Sequence, residues 1–342
     1  MSVIRTAIIG FGTAGRVFHA PLVAADPHYA LSAIVTGSPE RERAARHSYP
    51  QTDILADTDA LFARAREFDL VVIASPNDSH APLARAALEA GTHVVIDKPI
   101  AVTAAEAREI TTAAREAGRV LTVFQNRRWD GDFLTLRDVI ARGRLGEVRQ
   151  FDSAFEWWQP DTGTGWKDLA GPDQGGGVLY DLGPHLIDQA LQLFGEVTDI
   201  HAERDRRRPD SRSDDDSFLT LRHVSGVRTR LWMSTVAPAP RPRFRVSGSR
   251  AVFRSHGLDP QEAQSIAGRR PGETGFGLHD DGRAAVVEDP QGTQNVPLHA
   301  GDYREFYRRL AAALREGGPL PVDPNDSIRA LEIIEEAIRQ TR

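Results

Sequence analysis

An apolar segment that runs directly into a glycine-rich turn constrains this chain most. Residues 4–9 form the apolar segment, and a helix-forming stretch follows the turn. The turn consists of Gly10, Phe11, Gly12, Thr13, Ala14 and Gly15. A strand, a G-x-G-x-x-G turn and a helix in this order form the dinucleotide-binding fingerprint, in which the glycines permit the tight turn and the close approach of a pyrophosphate. The sequence therefore predicts that these six residues bind a dinucleotide, with first-turn N–H groups directed at its phosphates.

The segments that follow predict an α/β fold with a parallel sheet. Up to residue 124, short apolar strands alternate with helices, a pattern typical of a sheet that is covered on both faces. The predicted strands are residues 4–9, 29–36, 69–74, 92–96 and 119–124. We therefore predict an N-terminal Rossmann domain over residues 1–124, with a doubly wound parallel sheet.

From residue 125 onwards the predicted strands are longer, and apolar and polar residues alternate more regularly along them. Three apparent hairpins are predicted at residues 217–232, 243–255 and 284–297, and helices at 133–142, 184–194, 303–315 and 327–339. Residues 203–216 are dense in Arg and Asp, which is typical of a solvated loop with local ion pairs. We predict an α+β domain over residues 125–342 with a large, mostly antiparallel open sheet. Its uncovered face predicts a homodimer or homotetramer.

Composition excludes several classes of function. The 342 residues carry a net charge of −6 without a large basic field, so a nucleic acid is not an expected partner. The chain has no cysteine, which excludes disulfides, Cys–Zn sites and a thiolate nucleophile. No stretch approaches the ~20 apolar residues of a membrane span, and the N-terminus lacks a signal-peptide pattern. We therefore expect a cytoplasmic protein without a membrane partner.

A lysine at the end of a predicted strand is a candidate catalytic residue. Lys98 follows an apolar run and Asp97, and it precedes Pro99. Open α/β sheets bind ligands at the carboxyl ends of their strands, and partial burial there would lower the pKa of the lysine. The alternative is an ordinary surface lysine, but the neighbouring proline gives the segment a defined geometry and favours a function.

Asp181 and His185 are four residues apart at the start of a predicted helix, with Pro184 as its first residue. The helix dipole disfavours the protonated form of a histidine in the first helical turn. The neutral imidazole that results can act as a general base. Asp181 can fix the tautomer of that ring or hold a substrate hydroxyl. The structural alternative is a helix-capping Asp and a packed His, and two ligands without a third argue against a metal site.

The end of the second strand bears on the choice of cofactor. NAD-binding sites usually place an acidic residue there to hold the ribose hydroxyls. No acid stands directly after Val35, whereas Ser38 and Arg41 follow within a few residues and can hold a 2′-phosphate. The sequence favours NADP over NAD, with Glu40 as the candidate for the ribose hydroxyls if NAD is the cofactor.

Four motifs together closely resemble the Gfo/Idh/MocA oxidoreductases. They are the glycine turn at 10–15, A-S-P-N-D-S-H at 74–80, V-V-I-D-K-P at 94–99 and G-G-G-V-L-Y-D-L-G-P-H at 175–185. The resemblance covers essentially the whole chain, and it is closest to the branch of NADP-dependent scyllo-inositol dehydrogenases. Asp97 departs from the family pattern, which usually has Glu before the lysine.

The resemblance implies hydride transfer between NADP or NAD and a secondary alcohol or ketone of a cyclic polyol or sugar. The implied catalytic residues are Lys98, Asp181 and His185, and the sequence does not separate the roles of Lys98 and His185. The implied cofactor contacts beyond the glycine turn are Ser38, Arg41, Ser75, Pro76, Asn77, His80, Asp97, Lys98 and Asn126. The implied substrate contacts are Lys98, Arg127, Trp129, Trp166, Asp181 and His185, although tryptophans and arginines are as often structural. Two alternatives stay open, namely a non-catalytic dinucleotide- or sugar-sensing regulatory protein of the same fold and a reductase of another sugar-derived carbonyl.

Overall fold

The computed structural model describes residues 3–163, 165 and 169–341. The chain divides into two compact units. Unit 1 comprises Met1–Asn126, Glu262–Phe276 and Tyr303–Ile328, and unit 2 comprises Arg127–Gln261, Gly277–Asp302 and Arg329–Arg342. The main break lies at residue 126 instead of the predicted 124, and two later segments join the N-terminal unit. The predicted division into two contiguous domains therefore differs from the observed one.

A parallel sheet in the order β3-β2-β1-β4-β5-β6 forms the centre of unit 1, which confirms the predicted Rossmann sheet. Its strands are β1 Ile4–Ile9, β2 Tyr29–Val35, β3 Asp53–Leu55, β4 Leu70–Ile73, β5 His93–Asp97 and β6 Leu121–Phe124. Every residue of β4 is buried, as expected of a strand whose sheet is covered on both faces. The strand order reverses between β1 and β4, and open α/β sheets bind ligands at such a switch point.

Ten α-helices are assigned among the described residues. They are α1 Ala20–Ala25, α2 Pro39–Ser48, α3 Thr58–Phe62, α4 His80–Glu89, α5 Ala104–Glu116, α6 Gly131–Ala141, α7 Val178–Phe194, α8 Gln261–Ile266, α9 Arg304–Glu316 and α10 Pro324–Gln340. A π-helical turn, Ala14–His19, precedes α1. Local sequence explains two of the starts, because Thr103 and Glu106 form a capping box at α5 and Ser38 caps α2. None of the described helices is long and apolar enough to cross a membrane.

Aromatic packing explains why α9 belongs to unit 1. The rings of Phe124 and Phe306 lie 4.9 Å apart in an edge-on arrangement. The Tyr29 hydroxyl donates a hydrogen bond of 2.7 Å to the carbonyl oxygen of Tyr307. These contacts join α9 to the sheet of unit 1, and they depend on residues that are far apart in the sequence.

Unit 2 contains a sheet in the order β14-β13-β12-β11-β7-β10-β9-β8. Its strands are β7 Val148–Glu156, β8 Val197–Asp205, β9 Asp216–His223, β10 Arg228–Ser234, β11 Phe244–Gly248, β12 Val252–Ser255, β13 Ala284–Asp289 and β14 Gly292–Pro297. Neighbouring strands are antiparallel except β7 and β10, so the predicted mostly antiparallel sheet is confirmed. Helix α7 packs against β7, β9 and β10.

The prediction that the helix carrying His185 begins at Pro184 is wrong. The Val178 N–H donates to the carbonyl oxygen of Asp214, and the Leu179 N–H donates 2.9 Å to the Asp214 carboxylate. These bonds give the first N–H groups of α7 their acceptors, so the helix begins at Val178, six residues before Pro184. Pro184 lies inside the helix, where the lack of its N–H removes one helical hydrogen bond.

The expectation of a solvated loop at residues 203–216 is also wrong in part. Strand β8 continues to Asp205, and Asp214 and Asp215 are buried. The Asp215 carboxylate accepts hydrogen bonds from the backbone N–H groups of Arg207 and Arg208, at 2.7 and 2.9 Å. A buried carboxylate requires such partners, which the composition of the segment does not reveal.

Candidate functional site

The glycine turn shows which of its glycines the fold needs and which leaves space. A Cβ on Gly10, whose φ is 97°, would lie 2.5 Å from the Ala74 carbonyl oxygen. A Cβ on Gly15 would lie 2.0 Å from the Gly10 carbonyl oxygen, so both positions exclude a side chain. Outside its chain neighbours, only one described atom would lie within 4 Å of a Cβ on Gly12, namely Arg41 Nη1 at 3.9 Å. The open space at Gly12 fits the close approach of a dinucleotide pyrophosphate.

Ser38 and Arg41 lie at the start of α2, and Arg41 reaches the space above Gly12. The Ser38 hydroxyl oxygen accepts a hydrogen bond of 3.4 Å from the Arg41 backbone N–H. The Arg41 side chain is exposed, and its guanidinium extends towards Gly12. A hydroxyl and a guanidinium at this place fit the 2′-phosphate of NADP. Glu40 lies in the same helical turn, so the alternative NAD contact also has a residue in position.

The loop after β4 forms a second predicted cofactor contact. Asn77 is buried and begins a single 3₁₀ turn. The hydroxyl oxygens of Ser75 and Ser79 lie 2.6 Å apart, and the Ser79 hydroxyl also contacts the Pro76 carbonyl oxygen at 2.6 Å. Because β4 is the neighbour of β1, this loop and the glycine turn emerge at the same edge of the sheet.

His80 connects that loop to the lysine segment. Its Nδ1 lies 2.7 Å from the Pro99 carbonyl oxygen, and its Nε2 lies 2.9 Å from the Ser75 carbonyl oxygen. Burial lowers the pKa of His80, although both carbonyls and the Asp97 charge favour the protonated ring. Both contacts are with carbonyl oxygens, which accept hydrogen bonds, so an N–H on either ring nitrogen has a partner. These contacts give His80 a positioning role, and its contact with a cofactor stays a prediction.

Lys98 follows β5 directly, at the same edge of the sheet as the glycine turn and the loop after β4. The lysine is half-buried, and its peptide bond to Pro99 is cis. The Nε2 atom of His19 lies 3.6 Å from Oδ1 of Asp97. Burial by itself would raise the pKa of the Asp97 carboxyl, but His19 and the charges of Lys98 and His80 lower it below its ordinary value. Asp97 is therefore an ionised carboxylate next to the lysine.

Asp181 and His185 occupy one face of α7 in unit 2. Asp181 lies in the first turn of the helix, and His185 lies one turn later and is buried. The prediction that His185 lies in the first turn is wrong because the helix begins at Val178. The positive end of the helix dipole therefore acts on the position of Asp181 rather than on His185.

A cavity of about 140 Å³ in unit 2 is lined in part by Asp181. Other lining residues are Trp157, Gln159, Arg208, Ser211 and Thr235. The cavity is smaller than the roughly 300–1,000 Å³ of pockets for drug-sized ligands, so it suits a small polar molecule. Sequence reasoning missed Gln159, Arg208 and Ser211 as candidate contacts, although the Arg- and Asp-rich segment at 203–216 was a usable signal.

The predicted site residues after β6 lie inside the protein. Asn126, Arg127 and Trp129 belong to one 3₁₀ turn, and all three are buried. The Arg127 guanidinium stacks over the Phe155 ring at 4.6 Å. This contact explains the burial of Arg127 by packing, and the predicted contacts of all three residues with cofactor or substrate stay predictions. Trp166 lies outside the described residues. The part of the chain that the structure describes holds no group of three His, Asp or Glu residues suited to a metal ion.

Comparisons with known proteins match both parts of the chain. The model of the oxidoreductase family, NAD-binding Rossmann fold, matches residues 4–125, and the model of the GFO/IDH/MocA C-terminal domain matches residues 133–254. The uncharacterized oxidoreductase YdgJ of Escherichia coli is 39% identical, covering 99% of this chain and 96% of its own. The scyllo-inositol 2-dehydrogenase (NADP(+)) IolW of Bacillus subtilis is 31% identical, covering 99% and 94%. A crystal structure of an oxidoreductase from Bacillus cereus matches with a TM-score of 0.86 and 26% identity, covering 98% and 96%.

Proposed function

Because this chain belongs to the GFO/IDH/MocA oxidoreductase family, we propose that it is an NADP-dependent dehydrogenase of a cyclic polyol or sugar. One observation carries the proposal. The neighbouring strands β1, β4 and β5 end at one edge of the sheet, and there they present the glycine turn, the loop after β4 and Lys98. A dinucleotide cradle and a titratable lysine at one edge suit hydride transfer from an alcohol.

The proposed reaction uses Lys98, Asp181 and His185. A bound NADP would be held by the glycine turn, Ser38 and Arg41, and it would supply the hydride acceptor for the alcohol carbon. Lys98 donates a hydrogen bond to the reacting oxygen and stabilises its developing negative charge. His185 accepts the hydroxyl proton as general base, and Asp181 orients that ring or a substrate hydroxyl. At this level the roles of Lys98 and His185 can be exchanged.

The use of lysine in the chain supports a special role for Lys98. The sequence contains 42 Lys and Arg residues, and only Lys98 and Lys167 are lysines. An arginine cannot give up its proton in a protein, whereas a lysine can, and its pKa responds to its surroundings. A lysine at the end of β5, in a chain whose other basic residues are arginines except for Lys167, therefore fits a group that exchanges protons or adapts its charge.

Substrate and cofactor class rest on two further observations. The cavity next to Asp181 combines hydroxyl, amide and guanidinium groups with the Trp157 ring, a combination that suits the hydroxyl-rich faces of a polyol. Arg41, which reaches towards Gly12, and Ser38, which caps the same helix, favour the 2′-phosphate of NADP. The relative named as an NADP-dependent scyllo-inositol dehydrogenase agrees with both choices.

A panel of inositols and sugars, assayed with NADP and NAD by nicotinamide absorbance, tests the proposal. Lys98→Ala and His185→Ala should each lower kcat by about 10²–10⁴-fold, the usual range for acid–base groups, while the Kd of NADPH changes little. Near-wild-type turnover of either variant would remove that residue from the mechanism. A folded protein that binds NADPH but oxidises no member of the panel would point to the sensing alternative. Turnover of other carbonyls only would point to a reductase of another sugar-derived carbonyl.

A further inference from the structure

The helix that carries Asp181 begins without a capping side chain of its own. Gly177 occupies the cap position of α7, where a glycine has no side chain to accept a hydrogen bond from the first turn. The backbone N–H of Asp181 donates a hydrogen bond of 3.0 Å to the Gly177 carbonyl oxygen, so Asp181 closes this first turn. The first N–H groups of a helix need acceptors from elsewhere, and helix ends open more readily than helix centres. The position of Asp181 therefore depends on the residue that supplies those acceptors.

Asp214 supplies two acceptors from outside the helix. Its carbonyl oxygen accepts a hydrogen bond of 2.9 Å from the Val178 N–H, and its carboxylate Oδ2 accepts one of 2.9 Å from the Leu179 N–H. A Cβ on Gly177 would collide with Oδ1 of the same carboxylate, so the glycine leaves the space that the carboxylate occupies. Asp214 and Asp181 line the same cavity. The Asp214 side chain is only 2% exposed, and a buried carboxylate needs partners inside the protein.

Arg204, near the end of β8, is the charged partner of that carboxylate. Its Nη2 donates a hydrogen bond of 2.9 Å to Oδ1 of Asp214, and its Nη1 donates one of 3.3 Å to the Thr341 hydroxyl oxygen. The Thr341 hydroxyl in turn donates 2.8 Å to the carbonyl oxygen of Ala337 in α10. The two carboxylate oxygens thus have separate partners, and the bond of Oδ1 to Arg204 keeps Oδ2 directed at Leu179. All of these residues belong to unit 2.

We propose that Arg204 and Thr341 are positioning residues for Asp181. They orient the Asp214 carboxylate, which caps the first turn of α7 and thereby holds Asp181 at the wall of the cavity. The inference rests on the proposed function, in which Asp181 orients the His185 ring or holds a substrate hydroxyl. Without Arg204 the carboxylate can rotate away from the helix, and the first turn of α7 opens more often.

Amide hydrogen exchange of the full chain, followed by NMR without cofactor or substrate, measures the opening of this turn. Arg204→Met keeps much of the side-chain volume and removes the charge. The Leu179 amide should then exchange about 10- to 100-fold faster, as expected when a charge-assisted hydrogen bond is lost. Arg204→Lys keeps the charge and should restore part of the protection. Unchanged exchange at Leu179 in folded Arg204→Met, with folding checked by circular dichroism, would overturn the inference.

Thr341→Val is the second, milder variant. It removes the hydroxyl that holds Arg204 and leaves the ion pair with Asp214 in place. Because one long hydrogen bond is lost, the Leu179 amide should exchange about 2- to 10-fold faster. If Arg204→Met does not fold, Thr341→Val decides the inference by the same criterion.

Arg207→Met is the matched control. Arg207 also pairs with two carboxylates, those of Asp205 and Asp216, but its side chain is 58% exposed. An exposed ion pair contributes little, so the Leu179 amide should exchange at the wild-type rate. Faster exchange in Arg207→Met to the same extent as in Arg204→Met would show a general effect of lost charge and would overturn the inference.

Kinetics with the polyol distinguish positioning from a merely structural role. In Arg204→Met, kcat/KM should fall about 10-fold, as expected when one well-placed hydrogen bond is lost, and Arg204→Lys should recover part of it. The Kd of NADPH should stay unchanged, since its proposed contacts at the glycine turn and Arg41 belong to unit 1. Faster exchange with wild-type kcat/KM would overturn the link to Asp181. Faster exchange in Arg204→Met without turnover of any polyol by the wild type would overturn the proposed function alone, and wild-type turnover with unchanged exchange would overturn this inference alone.

Discussion

Replacing Gly12 by alanine separates cofactor binding from folding. Outside the chain neighbours of Gly12, the only described atom within 4 Å of the new methyl group would be at the flexible end of Arg41, at 3.9 Å. The backbone at Gly12 is not in the left-handed region, so alanine adopts its conformation without strain. We therefore expect the free energy of unfolding to stay within about 1 kcal/mol of the wild type, with a small gain from the stiffer unfolded chain.

The same methyl group should impair dinucleotide binding, because it occupies the space that a pyrophosphate would approach. One extra methyl group in a closely packed contact costs about 1–3 kcal/mol, which corresponds to an increase in Kd of about 5- to 150-fold. NADPH and NADH should be affected alike, since both carry the pyrophosphate. Fluorescence titration of both cofactors, with urea unfolding of the same samples, measures the two quantities separately.

Gly10→Ala is the matched control for this experiment. Its Cβ would lie 2.5 Å from a backbone carbonyl oxygen at a φ of 97°, so the substitution should destabilise the fold itself by about 2–5 kcal/mol. Unchanged affinity of folded Gly12→Ala for both cofactors would show that the dinucleotide does not use the space above Gly12. Equal loss of stability in the two variants would refute the distinction between the two glycines.

Three further predictions concern the cofactor, the assembly and the pH dependence of stability. Arg41→Ala should weaken NADPH binding by about 10- to 100-fold and leave NADH binding nearly unchanged, because one charge-assisted contact is lost. Arg46→Ala on the same helix is the charge-matched control. Equal losses of affinity for both cofactors in Arg41→Ala would exclude the NADP preference. The half-exposed face of β9 and β10 should make the protein a homodimer or homotetramer, and a monomeric mass in sedimentation at micromolar concentration would contradict this. Burial raises the pKa of Asp132 to about 6, above its ordinary 3.8, although the Arg243 charge opposes the shift. The folded protein therefore holds a proton that the unfolded chain has lost, and the wild type should lose stability as the pH rises from about 4 to about 6. Asp132→Asn should lack that loss, gaining about 1–3 kcal/mol relative to the wild type between pH 4 and pH 8 in urea unfolding, and parallel curves for the two proteins would refute the assignment.

Local patterns in the sequence were sufficient for the fold class and for the main site motifs. The glycine turn, the apolar strands of the Rossmann sheet and the hairpins at 217–232 and 284–297 are recognisable because neighbouring residues alone determine their periodicity and turn chemistry. The position of Lys98 at a strand end follows from the same kind of reasoning. The resemblance to a family then added the reaction class, which periodicity cannot provide.

The start of α7 shows where local reasoning was insufficient. A Gly-Pro pair is a usual helix start, yet Asp214, more than thirty residues away, satisfies the first turn at Val178 and places Pro184 inside the helix. The assignment of residues 303–328 to unit 1 likewise depends on contacts such as that between Phe124 and Phe306. Sequence periodicity describes the apolar face of a helix but does not identify its partner.

The sequence by itself determined the α/β class, the glycine turn and the lysine at the end of β5. Only the tertiary structure decided what faces the preceding Asp97, because His19, which faces it, and Tyr307 are 288 positions apart and their 2.7 Å contact arises from packing. The same holds for the open space at Gly12 and for the cavity beside Asp181. Burial, charge state and empty volume are properties of residues brought together by folding, so they become visible only when the chain is in its three-dimensional form.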